Sequence, residues 1–286
     1  MTKKFPILLM SGRDRNIRRE IMQVLDPEEK YKGKCLLPFL GKPVISWVVE
    51  ELVKSEYVEG IYSLGVSRED IDFGDQVEYV PVDFFADMHE KYLTGYEYLK
   101  AQGKEFNEYI ICMADTPAMT VEIIDEFLSQ VAKMEGYDFI LPLVPYEFAQ
   151  KWFPNAGRVV GRFRDYQVFP GEMMSYSPKA IIEGQKIIED ISVLRRKRSF
   201  WAVAWYVFRR PRTWGKLLKI VLKFAKLKDA VRVLELAFKM KMGYVIIEDL
   251  GFGLDMDVPQ NYEQLERYML ETKLKGKNVE RSKIYE

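Results

Sequence analysis

Short, unbroken apolar runs alternate with longer stretches of helical spacing through the first half of the chain, and that alternation predicts the architecture. "FPILLMS", Phe5 to Ser11, is a run closed by Gly12, as expected of a parallel strand covered on both faces. Pro43 then suits the first turn of a helix in which Val44, Trp47, Val48 and Leu52 share one face. "GIYSLGV" and "VEYVPV" read as strands, and residues 84–102 as a helix. "YIICMA" is another strand pattern. It is followed by a helix that carries Val121, Ile124, Phe127, Leu128 and Val131 on one side, and then by the strand pattern "DFILPLVP". This order implies a three-layer α/β fold of Rossmann-like type, with a mostly parallel sheet between two layers of helices.

From about Tyr146 the pattern changes. Residues 158–178 suggest short strands or a hairpin ending at Gly171, and Pro178 opens a helix through Leu194. A long basic and apolar stretch, 195–241, separates these from the strand "YVIIED", a loop and a final helix. The expected division is therefore an α/β core from 1–145 and 244–272, an inserted hairpin and basic helical region at 146–243, and a polar tail at 273–286.

Composition narrows the function. The 286 residues are 48% hydrophobic and 30% charged, with 43 basic and 43 acidic side chains, the profile of an ordinary globular protein without a charge bias toward any partner. Cys35 and Cys112 lie far apart with no CxxC, so buried thiols are expected rather than a zinc site or a disulfide. His89 is the sole histidine and reads as a surface or packing residue, which disfavours Ser-His-Asp hydrolysis and histidine-ligated metals. The apolar start is too short for a signal segment, and no stretch approaches the ~18 uncharged residues of a membrane span, so a cytoplasmic location is expected.

In a sheet of this kind ligands bind beyond the carboxyl ends of the strands, which is where Ser11 to Arg15 and Asp115 fall. Asp115 follows a buried strand, with Pro117 turning the chain away. A hard cation at the rim and a cap for the helix near Thr120 are both open readings. Asp255 and Asp257 alternate with Leu254 and Met256, so an extended backbone points both carboxylates the same way. Mg²⁺ takes one or two such carboxylates beside phosphate oxygens; helix capping is the other reading, and Asp255 is the expected bystander. Arg13, Arg15, Lys34 and Lys42 could supply positive charge to a polyphosphate.

Taken in order, "LLMSGR", "KCLLPFLGKPVISWVVEEL", an Asp-x-Pro after a central strand and a late "DMDVPQNYEQLERY" resemble the nucleotidyltransferases of the GT-A-like fold. The similarity is to the branch that includes the molybdenum-cofactor guanylyl- and cytidylyltransferases. It covers roughly residues 5–145 and 244–270, and Lys34 to Pro43 is its most specific piece. The resemblance implies a Mg²⁺-dependent transfer of a nucleoside monophosphate from a nucleoside triphosphate to a small, phosphorylated acceptor, with release of pyrophosphate. It puts Ser11, Gly12, Arg13 and Arg15 on the nucleotide-binding loop, has Lys34 reach the phosphates, and assigns the metal to Asp115 and Asp257, with Lys34, Arg13 and Asp115 carrying catalysis. The family loop is glycine-rich, whereas "MSGRDRN" keeps one glycine, and "IRREIMQVLDPEEKYKG" is inserted before Lys34. Arg13 and Arg15 would then do by side chain what loop amides do elsewhere.

Chain order makes Glu172 and Tyr176 acceptor-side candidates. The segment Trp214 to Ala225 can form a basic amphipathic helix with Lys216, Lys219 and Lys223 opposite its apolar face. Packing on the domain, contact with an anionic membrane through 195–241, and a lid over the site are its three readings. No nucleic-acid partner is expected. Two other functions remain at this stage: a glycosyltransferase using a nucleotide-sugar, and a non-catalytic nucleotide-binding or membrane-peripheral protein.

Overall fold

The sheet is ordered β5-β4-β1-β6-β10-β7-β9-β8, with β11 added to β7, in a computed structural model that describes residues 2–13, 20–152, 160–184 and 224–276. Arg15, most of the basic stretch 195–241 and the end of the polar tail lie outside the described residues. The strands are β1 (Phe5–Met10), β4 (Val58–Leu64), β5 (Glu78–Val80), β6 (Tyr109–Met113), β7 (Phe139–Pro145), β8 (Gly161–Arg162), β9 (Gln167–Pro170), β10 (Met173–Tyr176) and β11 (Met242–Ile246). A separate small hairpin is made by β2 (Pro38–Phe39) and β3 (Lys42–Pro43). The main helices are α1 (Glu20–Leu25), α2 (Val44–Lys54), α3 (Met88–Ala101), α4 (Val121–Lys133), α5 (Tyr146–Trp152), α6 (Leu227–Phe238) and α7 (Pro259–Glu271).

β1 pairs in parallel with β4 and β6, β4 with β5, and β11 with β7. Period-two burial explains the continuous apolar runs. Phe5, Ile7 and Leu9 enter one core while Leu8 and Met10 enter the other, and β6 divides in the same way, with Ile110 and Cys112 against Tyr109 and Ile111. Each fully buried Ile, Leu, Met or Phe among these contributes roughly 1.5–3 kcal/mol. On α4, Ile124, Phe127, Leu128 and Val131 form the buried stripe that their spacing predicts. No helix among the described residues is long and apolar enough to cross a membrane.

The region expected to be a hairpin outside the core is instead built into the main sheet. β10 runs antiparallel between β6 and β7, and β9 continues along β7, the two joined where Gly171 N donates to Pro142 O at 3.0 Å. A Cβ on Gly171 would lie 2.7 Å from the Phe252 ring, so glycine is what lets the chain pass there. The alternating burial of Met173–Tyr176 is that of a strand, but its slot between two earlier strands is a non-local choice.

The segment that follows Lys34 is organised around the small hairpin. Leu40 and Gly41 take φ of 48° and 83°, the two left-handed positions of a tight two-residue turn. Leu40 tolerates this conformation as a buried residue, and Val44 N bonds back to Leu37 O to start α2. Tyr262 of α7 donates to Pro38 O at 2.8 Å and sets its ring edge-on to Phe39, joining the last helix to this hairpin.

Candidate active site

After β1 the chain moves to β4 and β5 on one side, then returns to place β6 on the other. This reversal opens a crevice at the carboxyl ends of β1 and β6. Ser11, Gly12 and Arg13 form one wall. Asp115 forms the other, tied to the first where Ala114 N donates to Met10 O at 3.2 Å.

Lys34 enters from Gly33 and a 3₁₀ turn, Lys34–Leu36, whose Cys35 and Leu36 are buried. Its ammonium binds the Asp115 carboxylate and lies 2.5 Å from Asp257 Oδ1. Burial of Leu254 and Met256 turns Asp255 and Asp257 outward together, and one carboxylate oxygen from each of Asp115, Asp255 and Asp257 lies within 4.8 Å of the other two. Three hard oxygen donors around one point suit Mg²⁺, which is the test these residues pass. Asp255, expected to be a bystander, is a member of this cluster. The extended alternation that aligned it with Asp257 was already the signal.

The anion-binding wall is different in character. Arg13 lies with its guanidinium 5.1 Å above the Phe85 ring, its Nε is buried without a hydrogen-bond partner, and it makes no ion pair among the described residues. A buried guanidinium N–H with nothing to donate to is a place for a ligand oxygen. Ser11 lines the crevice, but its hydroxyl meets Ser63 Oγ and accepts from Val66 N, both at 3.0 Å, so it fastens β1 to the loop after β4. Lys91 was not foreseen. It is 3% exposed, borders the crevice, and donates to Phe84 O and Ala86 O at 2.9 and 2.6 Å. Its sequence signal was its place four residues before Gly95 and eight before Leu99, on the buried stripe of α3.

Other candidates are not brought together. Lys42 turns to Glu50 and the Trp47 ring, away from the carboxylates. Glu172 stands at the carboxyl end of β6, where its carbonyl accepts from Met113 N at 3.0 Å. Tyr176 is carried to the opposite end: β10 runs antiparallel, pairs Tyr176 with Tyr109, and packs its ring against Tyr92 and Phe139. His89 packs edge-on against Tyr92, with Nε2 3.0 Å from Ile181 O.

Cys35 is buried beside the site, with its Sγ donating to Ser11 O at 3.2 Å; burial, then the Asp115 charge, pushes its thiol up to about 12. Burial likewise raises Cys112. Neither thiolate forms near neutrality. Native protein at pH 8 is expected to resist an aromatic disulfide reagent and to release two equivalents when denatured. Rapid labelling of the native protein would contradict the buried placement.

No family model matches the chain, and no curated relative matches it. Among solved structures, a hypothetical transferase from Thermus thermophilus aligns at a TM-score of 0.67 and 17% identity, covering 91% of this chain and 100% of that one. CMP:2-keto-3-deoxy-manno-octonic acid synthetase complexed with CTP aligns at 0.58 and 12% identity, covering 94% and 99%. The chain shares its α/β fold with that CTP-bound synthetase. A homologue of Mycobacterium tuberculosis Rv0371c from Mycobacterium sp. strain JC1 aligns at 0.52 and 10% identity over 95% and 99%. Within this shared fold, the crevice between Arg13 and Asp115 sits at the switch point of the sheet.

Proposed function

We propose that the protein is a Mg²⁺-dependent nucleotidyltransferase that moves a nucleoside monophosphate from a nucleoside triphosphate to a small acceptor, releasing pyrophosphate. The observation that carries this reading is the convergence of Lys34, Asp115, Asp255 and Asp257 beside Arg13, whose Nε has no partner, at the carboxyl ends of β1 and β6. Asp115, Asp255 and Asp257 would hold the metal, which supplies charge neutralisation to phosphate oxygens. An acceptor oxygen attacks the α-phosphorus in line; the new P–O bond forms as the bond to pyrophosphate breaks, and the electron pair leaves with the pyrophosphate. This chemistry needs positioning and positive charge rather than a protein nucleophile, so a chain with one histidine can perform it. Arg13 and Lys34 supply that charge, Lys34 exchanging part of its contact with the carboxylates for phosphate oxygens.

A phosphorylated acceptor entering over Glu172 fits the order of the chain. The motif Lys34 to Pro43 supports the branch related to molybdenum-cofactor nucleotidyltransferases, and the triphosphate substrate favours a cytoplasmic setting. CTP, present in the complex of the aligned synthetase, is the first nucleotide to try. One observation favours a second reading: Asp255 and Asp257 share the site as an Asp-x-Asp pair, as a glycosyltransferase using a nucleotide-sugar would need. Pyrophosphate release separates the two.

The test is thermal unfolding with each of the four nucleoside triphosphates, with and without Mg²⁺, for wild type and Asp115→Ala. One triphosphate at ~100-fold above its Kd should stabilise the wild type by about 2.7 kcal/mol only with Mg²⁺, and should fail on the variant. Absence of a shift with all four would overturn the proposal.

A further inference from the structure

Residues 84–86 form a turn that touches both cationic elements of the site, and a single buried lysine holds it. Phe84 O accepts from Lys91 Nζ at 2.9 Å and from Arg13 N at 3.1 Å, and Ala86 O accepts from Lys91 Nζ at 2.6 Å. The Phe85 ring seats the Arg13 guanidinium 5.1 Å away. The Phe84 ring lies where a Cβ on Gly33 would come within 2.7 Å of it, directly before Lys34, and it carries Lys32 Nζ at 5.0 Å on its face. Gly12 closes the arrangement. A Cβ there would lie 2.3 Å from Phe84 O and 2.4 Å from Lys91 Nζ, so the loop glycine is the surface against which this clamp shuts.

The backbone consequence is specific. A glycine-rich loop receives phosphate with its own N–H groups, but here the N–H after the one glycine is directed to Phe84 O. Anion binding on this wall then falls to the Arg13 side chain, whose long, flexible stem gains recognition value only if something fixes it. The 84–86 turn is that fixture, and the ammonium of Lys91, a residue 3% exposed, fixes the turn through its two carbonyl partners.

We infer that Lys91 is a positioning residue that acts through the Phe84–Ala86 turn to aim Arg13 at a phosphate group, replacing the glycine-rich loop. The inference rests on the nucleotidyltransferase reading and deepens it. Its test is a double-mutant cycle, with the affinity for inorganic tripolyphosphate in Mg²⁺ buffer measured by calorimetry on wild type, Arg13→Ala, Lys91→Met and the double variant, each checked for folding by circular dichroism. Each single variant should weaken binding by about tenfold or more. The double variant should be within about twofold of Arg13→Ala alone, because a residue that works only through Arg13 adds nothing once Arg13 is gone. Multiplying losses, or an unaffected Lys91→Met, would overturn the inference.

If Lys91→Met does not fold, the wild type bound to tripolyphosphate decides. Its crystal structure should show Arg13 on a phosphate oxygen while still over Phe85, with Lys91 still on the Phe84 and Ala86 carbonyls. Direct contact of Lys91 with phosphate, or Arg13 leaving Phe85, contradicts the positioning role. A wild type that binds a nucleoside triphosphate but no tripolyphosphate also overturns it and leaves the nucleotidyltransferase reading standing. Binding of neither removes both.

Discussion

Lys34→Met is expected to lower kcat/KM for nucleotidyl transfer by about 10²–10³-fold, the usual cost of removing one group that stabilises developing charge. The same variant should bind Mg²⁺ more tightly than wild type when no nucleotide is present. Both effects follow from one placement: the Lys34 ammonium rests on Asp115 and Asp257, inside the carboxylate cluster that would hold the cation. In the free protein it would compete with the proposed metal for those oxygens. In the proposed reaction an arriving triphosphate would give the lysine phosphate oxygens to move to and would leave the carboxylates to the cation. Electrostatics among charges this close are large in a partly desolvated site, so deleting the lysine changes the two binding steps in opposite directions. Kinetics with pyrophosphate detection and Mg²⁺ calorimetry read them separately. Retained turnover, or Mg²⁺ affinity no higher than wild type, would count against the exchange.

Gly251→Ala is the second large effect expected, and it acts through backbone packing. A Cβ at 251 would lie 2.3 Å from Ala118 O and 3.0 Å from Asp249 Oδ1, and the first of these is backbone that cannot rotate aside. Ala118 belongs to the loop that begins at Asp115, while Gly251 lies in the turn Leu250–Gly253 that leads into Asp255 and Asp257. The substitution therefore wedges apart the two segments that bring the carboxylates together. Overpacking of this kind costs about 1–3 kcal/mol, and in a chain of this size each kcal/mol is worth roughly 2–4 °C in Tm. Mg²⁺ affinity should fall with it, because the oxygens would no longer share one centre. Unfolding and Mg²⁺ titrations on the same preparation check both; an unchanged Tm would count against the wedge.

Much of the core was readable because its signals are local. Unbroken apolar runs gave β1, β6 and β7, helical spacing gave the buried face of α4, and position at strand ends picked out Asp115 and the residues after β1. What escaped depends on residues distant in sequence. Met173–Tyr176 carries an ordinary strand pattern, but nothing within it specifies a slot between β6 and β7; that placement reverses its direction and carries Tyr176 away from the site. Asp255 was set aside although its spacing matched Asp257, since only the fold shows that Asp115 stands across from both. Lys91 was invisible as chemistry because a lysine in a helix is ordinarily solvated. The two carbonyls that make its burial tolerable lie in the turn before that helix, at a geometry that spacing does not encode.

The antiparallel strand between β6 and β7 also bears on how the chain assembles. β6 and β7 are consecutive strands in the chain, yet they do not pair with each other; the position between them belongs to Met173–Tyr176, synthesised after both. β7 gains its other neighbour, β11, only when the chain has passed Met242. A nascent polypeptide halted after Pro145 therefore has the partners for its first parallel strands, but one edge of β6 and both edges of β7 are open to any passing extended segment. Assembly of this protein is consequently a late, long-range event. The connections from Pro145 to Met173 and from Tyr176 to Met242 are the ones whose closure sets how long those edges stay exposed to aggregation or chaperone capture.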